Sequence, residues 1–353
     1  MTKKTSNPIS LKEFAALLGL SQSTVSRIVN GAGPAHRIAE ETRQRVLHAA
    51  ALYGYSANSV ARSLRQKRTY TVGVIVPEIS EGYATAVLSG IEDELLKDGF
   101  FYFVVSHRHR PDLLEGYPRM LLSRSVEGII AVDTPMQQDV HIPVVSVSGH
   151  NRRPGVINIE LDHDRAARLA LAHLKSLGHT RIAFIKGQAF SSDTLPRWRA
   201  IEEAARSLEV AIDPRLVVQL QAPEPGPGPG HAVARELLQT GSGFSAIFAF
   251  NDITAIGAIM ALREAGLRVP RDVSVLGFDD VLIAATSNPP LTTIHQPLRA
   301  MGQTAATTLL TLIRDEMPLP HPEAITVYPR LVIRKSTGPA TVRGSAAPAA
   351  AED

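Results

Sequence analysis

The chain has 353 residues, enough for two or three domains, and its 44% hydrophobic and 20% charged content excludes wholesale disorder. It has no cysteine, which excludes a disulfide framework, a thiolate zinc site and a cysteine nucleophile. The net charge is +3, but residues 1–70 hold eleven Lys/Arg against three acids (Glu13, Glu40 and Glu41), so a basic head precedes a mildly acidic body. That asymmetry suits a polyanion bound by the head alone, and it equally suits a solvated basic face. No run approaches the ~20 apolar residues that span a bilayer, and the basic N-terminus has no apolar segment behind it, so the expected setting is cytoplasmic with no membrane contact.

The head reads as three helices. Leu11, Phe14, Ala15 and Leu18 share one face of a short helix, Ser10 is its expected N-cap, and Gly19 breaks it. The next segment, from Ser21 to Asn30, carries a narrow apolar stripe of Val25, Ile28 and Val29. Its opposite face presents Gln22, Ser23, Ser26, Arg27 and Asn30, with no acid among them. Hydroxyls, amides and a guanidinium can donate to phosphate oxygens and read base edges, Arg suiting guanine and Gln adenine. A third predicted helix over about residues 40–53 adds Val46, Leu47, Ala50 and Tyr53 to the same small core. The three together make a helix-turn-helix pattern.

The run LKEFAALLGLSQSTVSRIVNG, then EETRQRVLHAAALYGYSANSVARSLR, resembles the DNA-binding head and hinge helix of the lactose-repressor (LacI/GalR) family of bacterial transcription regulators. The resemblance implies that Gln22, Ser23 and Arg27 choose bases while Ser21, Thr24, Ser26 and Asn30 hold the DNA backbone. It places Asn58 in a hinge helix and makes Leu64 an apolar wedge for the minor groove, a device that unstacks a base step and bends the duplex. A helix as short as residues 58–65 is marginal in isolation and is expected to order on DNA beside its twin from a second subunit. Three departures stand out: Ala57 where proline is common, Ala39 where a capping serine is common, and a long loop over residues 31–37.

From residue 70 the chain alternates strand and helix. Apolar runs at 71–77, 100–106, 128–132, 143–147, 181–185, 216–220, 246–250 and 273–278 suit buried parallel strands. Helical stretches fall at 83–96, 162–177, 195–208 and 252–265. About ten strands are too many for one open sheet, so two subdomains are expected. Polar residues follow the strands' carboxyl ends, where such folds bind ligands: Glu78 and Ser80, Ser191 to Asp193 with Arg197, Asn251, Asp279 and Asp280, and Gln296. Asp252 is expected to cap the helix it begins.

The segments GHTRIAFIKG, AIFAFNDITAIGAIMALREAGLRVPRDVSVLGFDD and PPLTTIHQP resemble the same family's effector domain, which is similar to periplasmic sugar-binding proteins. That resemblance implies effector contacts from Tyr83, Asp162, Arg197, Asn251, Asp279 and Gln296. The lone tryptophan, Trp198, suits either a sugar stack or helix packing. His107 and His109 lack a third partner for a metal, no phosphate loop follows the first strand, residues 223–230 read as a spacer, and residues 338–353 as a flexible tail without leucine heptads.

The expected fold is an N-terminal all-α helix-turn-helix domain (1–56) with a hinge helix and linker (57–69), then a two-subdomain α/β periplasmic-binding-protein-like effector domain (70–337). The expected function is a repressor, acting as a homodimer on a pseudo-palindromic double-stranded DNA operator. A small molecule, a sugar or sugar derivative, is expected to control it from between the subdomains, either releasing DNA or acting as a co-repressor; the alternative from another class is a sugar-binding or sugar-processing protein whose basic head is incidental. No cofactor, metal or catalytic residue is expected.

Overall fold

The computed structural model describes residues 9–30, 38–55, 68–80, 82–136, 139–150, 153–221, 224–316 and 322–340. The chain divides into two units, residues 1–69 and 70–353. Asn58 and Leu64, and the loop over 31–37, lie outside the described residues.

In the first unit, α1 (Leu11–Leu17) opens with a reciprocal cap: Glu13 N–H donates to Ser10 Oγ at 3.3 Å, and Ser10 N–H donates to the Glu13 carboxylate at 2.9 Å. Gly19 turns the chain with φ +65°. Then come α2 (Gln22–Asn30) and α3 (Glu40–Tyr53). The small core holds Phe14, Ala15, Val25, Ile28, Val46, Ala49 and Ala50. Leu47 and Tyr53, expected inside, are 41% and 51% exposed. The helix buries the expected Val46 and Ala50 together with Ala49, and Tyr55 takes the aromatic place by stacking on Phe14 at 4.3 Å between ring centres. Ala39 offers α3 no side-chain cap, and Glu40 in the first turn binds Arg43 and Gln44 of its own helix.

The second unit contains β1 (Thr71–Val76), α4 (Gly82–Lys97), β2 (Phe101–Ser106), α5 (Pro111–Ser123), β3 (Gly128–Val132), β4 (Val144–Val147) and β5 (Val156–Leu161). It continues with α6 (His163–Ser176), β6 (Ile182–Lys186), α7 (Thr194–Ser207), β7 (Val217–Gln219), α8 (Gly228–Gln239), β8 (Ala246–Ala249) and α9 (Asp252–Glu264). Last are β9 (Ser274–Asp279), α10 (Leu282–Thr286), β10 (Thr292–His295), α11 (Leu298–Ile313), β11 (Ala324–Val327) and β12 (Arg330–Val332).

These strands form two six-stranded sheets, ordered β11-β5-β4-β3-β1-β2 and β12-β10-β9-β8-β6-β7. All neighbours are parallel except β10 and β12. Helices cover both faces of each sheet, as parallel sheets require. In the first, α4 and α11 pack on one face and α5 on the other; in the second, α6 and α7 lie opposite α8 and α9. The backbone passes between the sheets at residues 161–163, 295–298 and 327–330, so three adjacent crossings connect the subdomains. No helix among the described residues is long and apolar enough to cross a membrane.

Two expectations change. The glycine-proline stretch is not only a spacer: Gly228 starts α8, and a Cβ on Gly230 would lie 2.5 Å from the Thr254 carbonyl of α9, so the glycine permits that packing. The chain end also holds further than expected. Gly338 N–H donates to Ser274 Oγ at 3.0 Å and Ala340 N–H to the Leu177 carbonyl at 2.8 Å; residues 341–353 lie outside the described set.

Helices α4 and α11 touch through glycine as well. A Cβ on Gly302 would sit 2.0 Å from the Val87 carbonyl oxygen, and one on Gly90 1.9 Å from that of Arg299. Backbone cannot swing aside as a side chain does. Gly302→Ala is therefore expected to destabilise the protein by about 2–3 kcal/mol, read as a lower urea midpoint; an unchanged midpoint would show that the helices separate freely.

Candidate nucleic-acid interface and ligand cleft

Helix α2 starts at a self-made cap. Thr24 N–H donates to Ser21 Oγ at 3.1 Å, and that hydroxyl lies 2.8 Å from both Ser23 Oγ and Thr24 Oγ1. Val25 and Ile28 are buried, which turns Gln22, Ser23 and Arg27 outward; Thr24 and Ser26 are half-buried at the rim. Asn30 ends the helix, and its side chain is outside the described set. The helix has no acid in its first turn, so its positive dipole end is unopposed.

In the second unit, a cleft opens past the carboxyl ends of the strands of both sheets. Its lining includes Glu78, Tyr83, Asp133, Asp193, Arg197, Asn251 and Asp279. Arg197 anchors it at 4% exposure. Its guanidinium donates to the Phe250 carbonyl at 2.6 Å and to Asp193 Oδ2 at 2.8 Å, and lies 4.4 and 3.8 Å from the ring centres of Phe250 and Phe278. Burial alone would raise the Asp193 carboxyl; the Arg197 charge, the bond from His150 and the nearby His163 hold it well below the usual range.

Asp279 ends β9 with φ +105° and accepts from Gln296 Nε2 at 2.6 Å. Its burial holds the carboxyl well above the usual range despite Arg197 nearby. Tyr83 stands on the first-subdomain wall, its hydroxyl donating to Ser148 Oγ at 2.9 Å. Asn251, rather than Asp252, caps α9, accepting from Thr254 N–H at 2.9 Å. Asp252 is fully buried and accepts from Thr293 Oγ1 at 2.6 Å and Val281 N–H at 2.9 Å.

Four of the six expected effector residues thus line the cleft: Tyr83, Arg197, Asn251 and Asp279. Gln296 lies behind them, holding Asp279, and does not reach the lining. Asp162 is not on the lining either; its carboxylate is spent capping α6 through Arg165 N–H at 2.8 Å. Trp198 packs edge-on against Phe184 at 5.8 Å, away from that lining, as its helix-packing alternative required. His107 is also committed: its ring nitrogens meet Thr134 Oγ1 at 3.1 Å and His109 N–H at 3.0 Å, and burial lowers its pKa to about 4.

Sequence reasoning passed over Asp133, His150 and His163. Asp133 directly follows the apolar run Gly-Ile-Ile-Ala-Val, so the strand-end rule pointed to it. From the first subdomain it accepts from Ser191 Oγ at 3.2 Å and from Ser192 N–H at 2.9 Å across the cleft. Burial and the Asp193 charge push its pKa up to about 7. Beside it, His150 Nε2 lies 2.5 Å from Asp193 Oδ1, and the His109 and Phe190 rings meet at 3.9 Å. The two subdomains therefore touch along one side of the cleft through a hydroxyl–carboxylate set, an imidazole–carboxylate pair and a ring contact.

Comparison with known proteins agrees with both units. Residues 10–58 match the family described as bacterial regulatory proteins, lacI family, and residues 171–337 match the periplasmic binding protein-like domain. The HTH-type transcriptional repressor PurR of Haemophilus influenzae is 32% identical over 338 residues, covering 92% of this chain and 98% of its own. Its namesake from Aliivibrio fischeri is 32% identical over 315 residues, covering 87% and 92%. Among solved structures, the lac repressor dimer bound to operator and the anti-inducer ONPF is 26% identical with a TM-score of 0.82, covering 94% of this chain and 100% of that one. The complex of the transcriptional regulator CelR with cellobiose is 28% identical with a TM-score of 0.67, covering 93% and 99%.

One buried group behind the cleft makes a pH prediction. Burial pushes the Asp252 carboxyl up to about 7, above its value in an unfolded chain. A raised acid stabilises the fold below its unfolded pKa and withdraws that support as pH rises through the folded one. Relative to the parent, Asp252→Asn is expected to gain on the order of 2 kcal/mol in urea unfolding between pH 4 and 8. A difference that stays flat with pH would mean that the carboxyl is already ionised in the fold.

Proposed function

This chain belongs to the LacI/GalR family and is a DNA-binding transcriptional repressor with a small-molecule effector, and on that premise we propose that it acts as a cytoplasmic homodimer on a pseudo-palindromic operator and answers to a sugar or sugar derivative. Residues 1–56 read DNA, 57–69 form the hinge, and 70–337 bind the effector and pair the subunits. Gln22, Ser23 and Arg27 contact bases; Ser21, Thr24, Ser26 and Asn30 contact the backbone; Asn58 and Leu64 act in the hinge. The outward, acid-free face of α2 supports the reading role, and the likeness to the operator-bound lac repressor dimer supports the pairing.

The observation that carries the effector reading is the cleft's imbalance of acceptors. Glu78, Asp133, Asp193, Glu224 and Asp279 line it, while its one arginine is pinned by Asp193 and the Phe250 carbonyl. Hydroxyl groups find acceptors there, and a phosphate or carboxylate meets an arginine already engaged by Asp193. The CelR–cellobiose complex supports the same class. A ligand that fits one orientation of the subdomains better than another shifts their population, and only one orientation presents paired heads at operator spacing.

Two measurements test this. With an operator selected from genomic fragments, Arg27→Ala is expected to weaken operator binding by about 5- to 100-fold at fixed salt and binding to random DNA much less. Equal losses on both would remove Arg27 from base reading. A thermal-shift screen that pairs neutral sugars with their phosphates and acids is expected to stabilise the chain only with neutral members. The same ligand's effect on operator binding then assigns it as inducer or co-repressor; stabilisation confined to the anionic members would overturn the proposed class.

A further inference from the structure

Where the subdomains meet beside the cleft, three donors converge. Asp193 Oδ1 lies 2.5 Å from His150 Nε2 and 3.3 Å from His163 Nε2, and all three atoms fall within 4.8 Å of one another. The cluster is interior: the side chains are 14%, 8% and 6% exposed for His150, His163 and Asp193. Neither ring nitrogen of the buried His163 makes a hydrogen bond of acceptable geometry. A buried imidazole with both nitrogens unanswered is unfavourable, and the cluster offers Nε2 nothing better than the 3.3 Å approach to Asp193.

We propose that His150, His163 and Asp193 form a site for Zn²⁺ that cross-links the two subdomains at the edge of the cleft. Two imidazoles and one carboxylate suit zinc, and they do not suit Mg²⁺ or Ca²⁺, which take oxygen ligands. A tetrahedral ion with N and O ligands at about 2.0–2.1 Å holds its donors about 3.3 Å apart. The His163–Asp193 edge already has that length, and the His150 edge opens by about 0.8 Å to reach it. Arg197 Nη2, 2.8 Å from the other carboxylate oxygen, orients Asp193 from behind as metal-site carboxylates require.

The ligands come from both sides of the fold. His150 follows β4 of the first sheet, while His163 and Asp193 begin α6 and precede α7 on the second. An ion held by all three ties the subdomains together beside the cleft that Asp193 lines. The proposal does not depend on the effector's being a sugar.

The test is equilibrium dialysis of the tag-free, full-length chain against Zn²⁺, with the metal content measured directly. One zinc per chain is expected, with none retained by His150→Ala or His163→Ala and full retention by His141→Ala, an exposed control. Co²⁺ bound to the parent is expected to show the intense visible bands of a tetrahedral site, absent from His150→Gln, whose circular dichroism checks that the fold is kept. A parent that binds no zinc, or variants that keep it, would overturn the site and leave the three residues as an ion-pair cluster.

Discussion

A guanidinium with 4% exposure has to be paired, because an uncompensated buried charge costs several kcal/mol. Arg197 is paired with Asp193, fixed to the Phe250 carbonyl and flanked by two aromatic rings, and much of the cleft follows from that arrangement. It sets the direction of Asp193, whose free oxygen then meets His150 from the other subdomain. It also stands near Asp279, whose strained strand end is steadied by Gln296 from the crossing at 295–298. Cleft floor, subdomain contact and crossing strand are thereby linked through one side chain, with Asp193 and Asp279 acting as its intermediaries.

The contacts that close the cleft are few. Asp133 takes bonds from Ser191 and Ser192, Ser192 Oγ also reaches the Ser148 carbonyl, and His150 meets Asp193. Polar contacts of this kind contribute about 0.5–1.5 kcal/mol each, somewhat more with a charged partner, so opening the cleft costs a few kcal/mol. That is within the differential binding energy of a small ligand. Three adjacent backbone crossings are the connections on which one subdomain would turn against the other.

Much of this was readable from the residues, and the gaps have physical causes. The eight apolar runs all became strands because a parallel strand covered on both faces must be continuously apolar. The strands that escaped, β5 and β10 to β12, lie at the crossings. β5 reads Val-Ile-Asn-Ile-Glu-Leu, and its buried Asn158 breaks the apolar signal. The cap at Ser10 was visible because capping is local, whereas Asn251 and Asp252 exchanged roles because the acid's partners, Val281 and Thr293, are far along the chain. Arg197, Asn251 and Asp279 were found by their places after strands. His150 and His163 were not: the meeting of two subdomains brings His150 to Asp193, and the packing of two helix starts 30 residues apart brings His163 there.

The head obeys a different economy. Among the described residues its core holds seven buried side chains, so little packing energy is available to hold α2 in place. Local bonds supply part of the order. Ser21 closes the first turn of α2 with its own hydroxyl, Glu13 and Ser10 close that of α1, and Arg45 of α3 donates to the Leu18 carbonyl at 3.1 Å where α1 ends. The hydroxyl that caps α2 is therefore already oriented, and with it the Ser23 and Thr24 hydroxyls beside it. A surface arranged before contact loses less side-chain and backbone freedom on binding, which leaves more of each base contact to discriminate between sequences.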